Sequence, residues 1–245
     1  MNMKLHNKIL LITGWGVGIE PLESLKLHLQ QKGFDVQLIN IFDVLTSSFQ
    51  KQLNLLNDVD TVIGWSLGGQ LAAYLVDSFY KSTGLTKTLI TLASNPCFVT
   101  NTNWQTAMPA DVFSQFKTSF LQNQQATLKR FYYLITQGSA QAKKDWLNMQ
   151  NIANPPSYEL LLQGLEMLEH LNLVDNLKNY SGPQLHLFAE HDGVIPCKIE
   201  ENFANIATEK MKYKVLNEAT HAFPYLQVER TIEEICQFLT IHQQS

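Results

Sequence analysis

Ser66, Asp192 and His221 are the residues whose types and order in this chain could do covalent chemistry. Ser66 lies in Gly64-Trp65-Ser66-Leu67-Gly68-Gly69, a G-x-S-x-G pattern. The short β-branched run Asp60-Thr61-Val62-Ile63 precedes it, and the helix-like Gln70-Leu71-Ala72-Ala73-Tyr74-Leu75-Val76 follows. A serine on such a sharp strand-to-helix turn exposes its hydroxyl, and the next backbone N–H groups point at whatever that hydroxyl attacks. A hydroxyl is a weak nucleophile at neutral pH. It needs an imidazole to take its proton and a carboxylate to fix the imidazole's tautomer. Around a nucleophile elbow these follow in the order serine, acid, histidine. Asp192 in Phe188-Ala189-Glu190-His191-Asp192-Gly193 and His221 in Glu218-Ala219-Thr220-His221-Ala222-Phe223-Pro224 keep that order, each just after a strand-like run. Glu190 is the alternative acid, and Asp192-Gly193 could also be an ordinary turn.

The other histidines fit the role of base less well. His6, His28 and His242 fall in peripheral segments, His170 in a helical stretch, His186 inside a strand and His191 beside the candidate acid. Acyl transfer also needs two backbone N–H groups aimed at the developing oxyanion. One comes from the residue after the nucleophile, Leu67. The other comes from the loop after an early strand, where Gly14-Trp15-Gly16 offers the N–H of Trp15. The same glycines are not a dinucleotide loop, because the third glycine of G-x-G-x-x-G would fall on Ile19.

The elements around these residues alternate. Strand-like runs are Lys8 to Thr13, Asp35 to Ile41, the run before Ser66, Thr88 to Ala93, Gln184 to Ala189 and Lys212 to Leu216. Helical spacing marks Pro21 to Lys32, with Gly33 as a C-cap, then Phe49 to Leu56, Ile199 to Ala207 and Val228 to Leu239. This alternation predicts an α/β fold with a mainly parallel central sheet flanked by helices. From about Asp111 to Leu177 strand-like runs all but vanish, and Pro155-Pro156 breaks the stretch. Phe113, Phe116 and Phe120, then Leu128, Phe131, Tyr132 and Leu134, then Leu160, Leu161, Leu165 and Leu168 recur at helical spacing, as packing faces. The expected organisation is a core over 1–96 and 181–245, with a helical lid at 97–180 inserted between core strands.

Composition narrows the class. The 245 residues are 45% hydrophobic, enough for a sizeable core, and the net charge is −4, without a nucleic-acid signature. No apolar run approaches a membrane span, and Ile9 to Ile12 is too short for a secretory signal. Cys97, Cys197 and Cys236 match no metal spacing and read as thiols of a reducing, cytoplasmic compartment. Against the overall acidity, Val112 to Gln150 carries Lys117, Lys129, Arg130, Lys143 and Lys144 with Asp145 as its one acid, a net +4. A basic lid on an acidic body suits an acidic partner through steering, and equally a solvated helix face.

The chain resembles the α/β-hydrolase superfamily, and within it the pimeloyl-[acyl-carrier protein] methyl ester esterase family. The resemblance rests on Gly14-Trp15-Gly16, the Ser66 elbow, Ala93-Ser94-Asn95-Pro96-Cys97-Phe98, Arg130-Phe131, Gly164-Leu165-Glu166, Asp192-Gly193-Val194-Ile195-Pro196 and Thr220-His221-Ala222. It implies Ser66, Asp192 and His221 as a catalytic triad and Trp15 and Leu67 as the oxyanion hole. It implies Trp65 and Phe131 as walls of an acyl channel, and Arg130 and Lys143 as docking positions for acyl-carrier protein. It also implies a monomeric serine carboxylesterase without metal or organic cofactor, the alternative being a small-ester esterase, thioesterase or lactonase. The chain departs from the resemblance at Thr13, where many relatives carry histidine, and at Ala126 and Leu147, where the family has basic residues. It also has a short segment between Ile41 and the elbow and no leading β-hairpin, which point to a more open site.

Overall fold

A computed structural model describes residues 7–196 and 198–243. His6 and Cys197 lie outside the described residues, as does the side chain of His242. Cys97 is buried and Cys236 half-buried, and both are free thiols.

The strand-forming runs give six strands: β1 (Lys8–Ile12), β2 (Asp35–Ile39), β3 (Thr61–Trp65), β4 (Thr88–Leu92), β5 (Gln184–His191) and β6 (Met211–Thr220). They form one sheet in the order β2-β1-β3-β4-β5-β6, and every pair is parallel. Parallel strands are covered on both faces, so their inner members read as continuous apolar runs. All five residues of β3 are buried, and Leu10, Leu11, Ile12, Ile63, Leu89 and Leu187 are inaccessible to solvent.

Between the first four strands lie a 3-10 turn (Glu20–Leu22), α1 (Glu23–Gln31), α2 (Ser47–Leu55) and α3 (Leu67–Thr83). Five helices then connect β4 to β5: α4 (Ala110–Gln122), α5 (Gln124–Thr136), α6 (Ala142–Ile152), α7 (Tyr158–His170) and α8 (Val174–Asn179). Asn123 breaks α4 from α5 at an extended φ of −153° and caps α5 by accepting the Ala126 N–H. After Pro155-Pro156, Ser157 caps α7 in the same way. The chain closes with α9 (Ile199–Ile206), α10 (Phe223–Leu226) and α11 (Val228–Gln243).

Strand order reverses between β1 and β3, which opens a crevice beyond their C-terminal ends. The Gly14-Trp15-Gly16 loop leaves β1 there and Ser66 leaves β3 there. The helices between β4 and β5 are fastened over this end. The Trp15 indole N–H donates to the Leu161 carbonyl at 2.8 Å, the Tyr132 hydroxyl to the Gly16 carbonyl at 2.8 Å, and the Ala222 N–H to the Ile135 carbonyl at 2.9 Å.

Two departures from the sequence expectation bear on the site. The helix after Ser66 starts at Leu67, three residues before the apolar run that suggested it, because Gly68 and Gly69 fit its first turn. β6 extends to Thr220 instead of stopping at Leu216, because its ladder with β5 resumes after an irregularity.

Candidate active site

Ser66 sits between β3 and α3 with φ 56° and ψ −122°, a backbone conformation rare for a residue with a side chain. Its N–H is held by the Leu92 carbonyl at 2.9 Å, and its own carbonyl accepts the Gly69 N–H at 2.9 Å. The turn closes only because Gly64 and Gly68 lack side chains. A Cβ on Gly64 would stand 2.0 Å from the Gly68 carbonyl oxygen, and one on Gly68 would stand 2.3 Å from that of Thr13.

β5 and β6 bring the other two residues to Ser66. His221 Nε2 lies 2.9 Å from Ser66 Oγ, and His221 Nδ1 lies 2.9 Å from both carboxylate oxygens of Asp192. An ionised carboxylate only accepts, so Nδ1 carries the proton and Nε2 is free to accept from the Ser66 hydroxyl. The side chains of His221 and Asp192 are 0% and 2% exposed. Asp192 is itself steadied by the N–H groups of Val194 and Ile195, each 2.8 Å from Oδ1. Glu190, the alternative acid, points elsewhere and accepts the Glu218 N–H at 2.8 Å.

Leu67 is the first residue of α3, so its N–H has no acceptor within the helix and carries the positive end of the helix dipole. Trp15 is pinned by its indole bond to Leu161 and by an edge-on contact with Phe131, ring centres 5.0 Å apart. Thr13, which stands where many relatives have histidine, ties the loop back on itself through a 2.5 Å bond from its hydroxyl to the Gly18 carbonyl. Burial pushes the Tyr132 hydroxyl up to about 12, so it stays a proton donor to Gly16.

Ser66 opens into a cavity of about 40 Å³ walled by Trp15, Phe98, Met108, Phe113, Phe131 and Val194, among others, and almost wholly apolar. The site is narrow, not the open one expected from the short segment before the elbow, because α4 brings Phe113 and Phe116 down over the serine. Trp65, placed in the acyl channel by the resemblance, is not in this wall. It is buried behind His221, with its indole N–H donating to the His221 carbonyl at 2.9 Å. Phe131 is in the wall. The helical stripe with Phe113 and Phe116, read as a packing face, also serves as wall. The hint was there in the Phe98 motif and in the depth of aromatic residues on one helix face.

Arg130 on α5 and Lys143 on α6 are both exposed, and neither is in the wall of the Ser66 cavity. Lys117 is instead drawn into α7 by Glu166 at 2.6 Å and Glu169 at 2.5 Å. Burial lowers its pKa, but the two carboxylates outweigh that and leave it raised.

The fold and this arrangement are those of an α/β-hydrolase with a serine elbow. An esterase from Exiguobacterium antarcticum superposes with a TM-score of 0.79 at 16% identity, over 96% of this chain and 92% of that one. No family model matches the chain. A pimeloyl-[acyl-carrier protein] methyl ester esterase from Vibrio cholerae is 30% identical over 73% of this chain and 69% of its own length. A protein of the same name from Salmonella newport is 29% identical over 78% of each chain. The chain belongs to the pimeloyl-[acyl-carrier protein] methyl ester esterase family.

Proposed function

We propose that the chain is a serine carboxylesterase that hydrolyses the methyl ester of a pimeloyl group carried on acyl-carrier protein, as a monomer in the cytoplasm. The observation that carries the reading is the imidazole of His221, held 2.9 Å from Ser66 Oγ and 2.9 Å from the Asp192 carboxylate, in a chain of this family. Ser66 Oγ attacks the ester carbonyl while His221 Nε2 takes its proton, and Asp192 stabilises the imidazolium that forms. The N–H groups of Trp15 and Leu67 receive the oxyanion, helped by the α3 dipole. Collapse of the intermediate expels methanol, which takes the proton from His221. Water, deprotonated by His221, then attacks the acyl-serine, frees the acid and restores Ser66.

The apolar cavity takes methylene or methyl groups, and the Phe131 ring forms part of it. Arg130 and Lys143 meet the acidic carrier, while Lys117 contributes less because Glu166 and Glu169 already offset its charge. The narrowness of the cavity favours, as a second reading, a hydrolase of short esters with the same machinery. Trapping tests the mechanism. A fluorophosphonate should label Ser66 in the wild type and nothing in Ser66→Ala. Labelling elsewhere, or equal labelling of both, would remove Ser66 as nucleophile.

A further inference from the structure

β5 and β6 pair residue for residue from Gln184 with Met211 to Ala189 with Leu216, and then resume with His191 opposite Thr220. Glu190 alone therefore stands opposite Asn217, Glu218 and Ala219. Extra residues of this kind bend a strand and re-aim the side chains that follow. Here the residue that follows the restored pair is His221. The bulged backbone is gripped by side chains in place of a ladder. Glu190 Oε2 accepts the Glu218 N–H at 2.8 Å, Gln227 Nε2 donates to the Glu218 carbonyl at 3.1 Å, and Arg230 Nη1 donates to the Asn217 carbonyl at 2.7 Å. Glu218 is held at φ 55°, in the left-handed region that residues with side chains occupy only when their surroundings impose it.

We infer that Glu190 is a positioning residue for the reaction, resting on the serine-esterase reading above. Its carboxylate fixes the bulge that sets where His221 emerges, while Asp192, two residues along the same strand end, fixes how the ring of His221 is turned. Glu190 is half-exposed, so its charge is screened by water. What matters is an acceptor at the right place, and a glutamine at 190 still offers a carbonyl oxygen.

The test is steady-state hydrolysis of a short p-nitrophenyl ester by wild type, Ser66→Ala, Glu190→Ala and Glu190→Gln, with thermal melts of each. Glu190→Ala should lower kcat about tenfold with KM within about twofold, since a small displacement of a reacting group is costly. Glu190→Gln should keep most of the wild-type kcat. An unchanged kcat in Glu190→Ala, or an equal fall in Glu190→Gln, overturns the inference. If Glu190→Ala does not fold, Gln227→Leu releases the same residue from its carbonyl side and should lower kcat at constant KM, and no change in kcat there overturns the inference. Equal turnover by wild type and Ser66→Ala would sink the esterase reading and this inference with it. A fully Ser66-dependent turnover that ignores Glu190 would sink this inference alone.

Discussion

Gly68 is pressed against Thr13: a single added carbon on Gly68 would lie 2.3 Å from the Thr13 carbonyl oxygen and 2.5 Å from that of Ile12. The first turn of α3 and the end of β1 are thus in backbone contact. Backbone cannot yield as a flexible side chain would. Gly68→Ala should cost about 3 kcal/mol of stability, the upper range for overpacking, and remove most activity. Urea unfolding beside a turnover assay checks this, and a variant of wild-type stability would contradict the contact.

Ser66 shows strain of another kind. Its φ of 56° favours glycine, and a forced conformation of this sort costs on the order of 1–3 kcal/mol. Ser66→Gly should abolish turnover while raising the melting temperature by about 2–4 °C, the shift that about 1 kcal/mol gives a chain of this size. A lower melting temperature would mean that the hydroxyl's bond to His221 outweighs the backbone strain.

His186 makes the fold acid-sensitive. It is fully buried beside Thr91, whose hydroxyl lies 2.7 Å from Nδ1, and burial lowers its pKa from 6.5 to about 3. Between those values the unfolded chain binds a proton that the folded one does not. Stability from this group is therefore full above pH 6.5 and is lost as pH falls toward about 3. Unfolding free energies at about pH 7 and about pH 5 should differ less in His186→Gln than in wild type. Equal differences would show that His186 is not the group responsible.

Arg130 is exposed on α5 and is not among the residues that wall the Ser66 cavity. Arg130→Glu should reduce turnover of a carrier-bound ester about tenfold at low salt and leave a short free ester nearly unchanged. Equal loss on both substrates would assign Arg130 to the folding of the helical segment.

How much of this was legible in the sequence depended on how far each feature reaches. The elbow is written in adjacent residues: a β-branched run, glycines at 64 and 68, a helix former run after them. So are Asp192 and His221, each placed by the strand it follows and by chain order. The six-strand parallel sheet follows from alternation alone, and comparison with solved structures agrees with it. What local pattern could not reach is what several distant segments assemble. The cavity wall draws Phe98 from a loop after β4, Phe113 from α4 and Val194 from the turn after β5. Trp65 sits beside the serine in sequence yet is not in the cavity wall, and its indole N–H donates to the His221 carbonyl. Glu190 resembled a spare acid because its role depends on two extra residues in β6, and register between strands is not encoded in either strand alone.

The most direct measurement is methanol release from the methyl ester of pimeloyl-carrier protein, set beside hydrolysis of a short p-nitrophenyl ester, by wild type and by Ser66→Ala. The account predicts a strong preference for the carrier-bound ester, lost entirely in Ser66→Ala. Activity on the short ester alone, or carrier-ester cleavage that survives loss of the Ser66 hydroxyl, would contradict it.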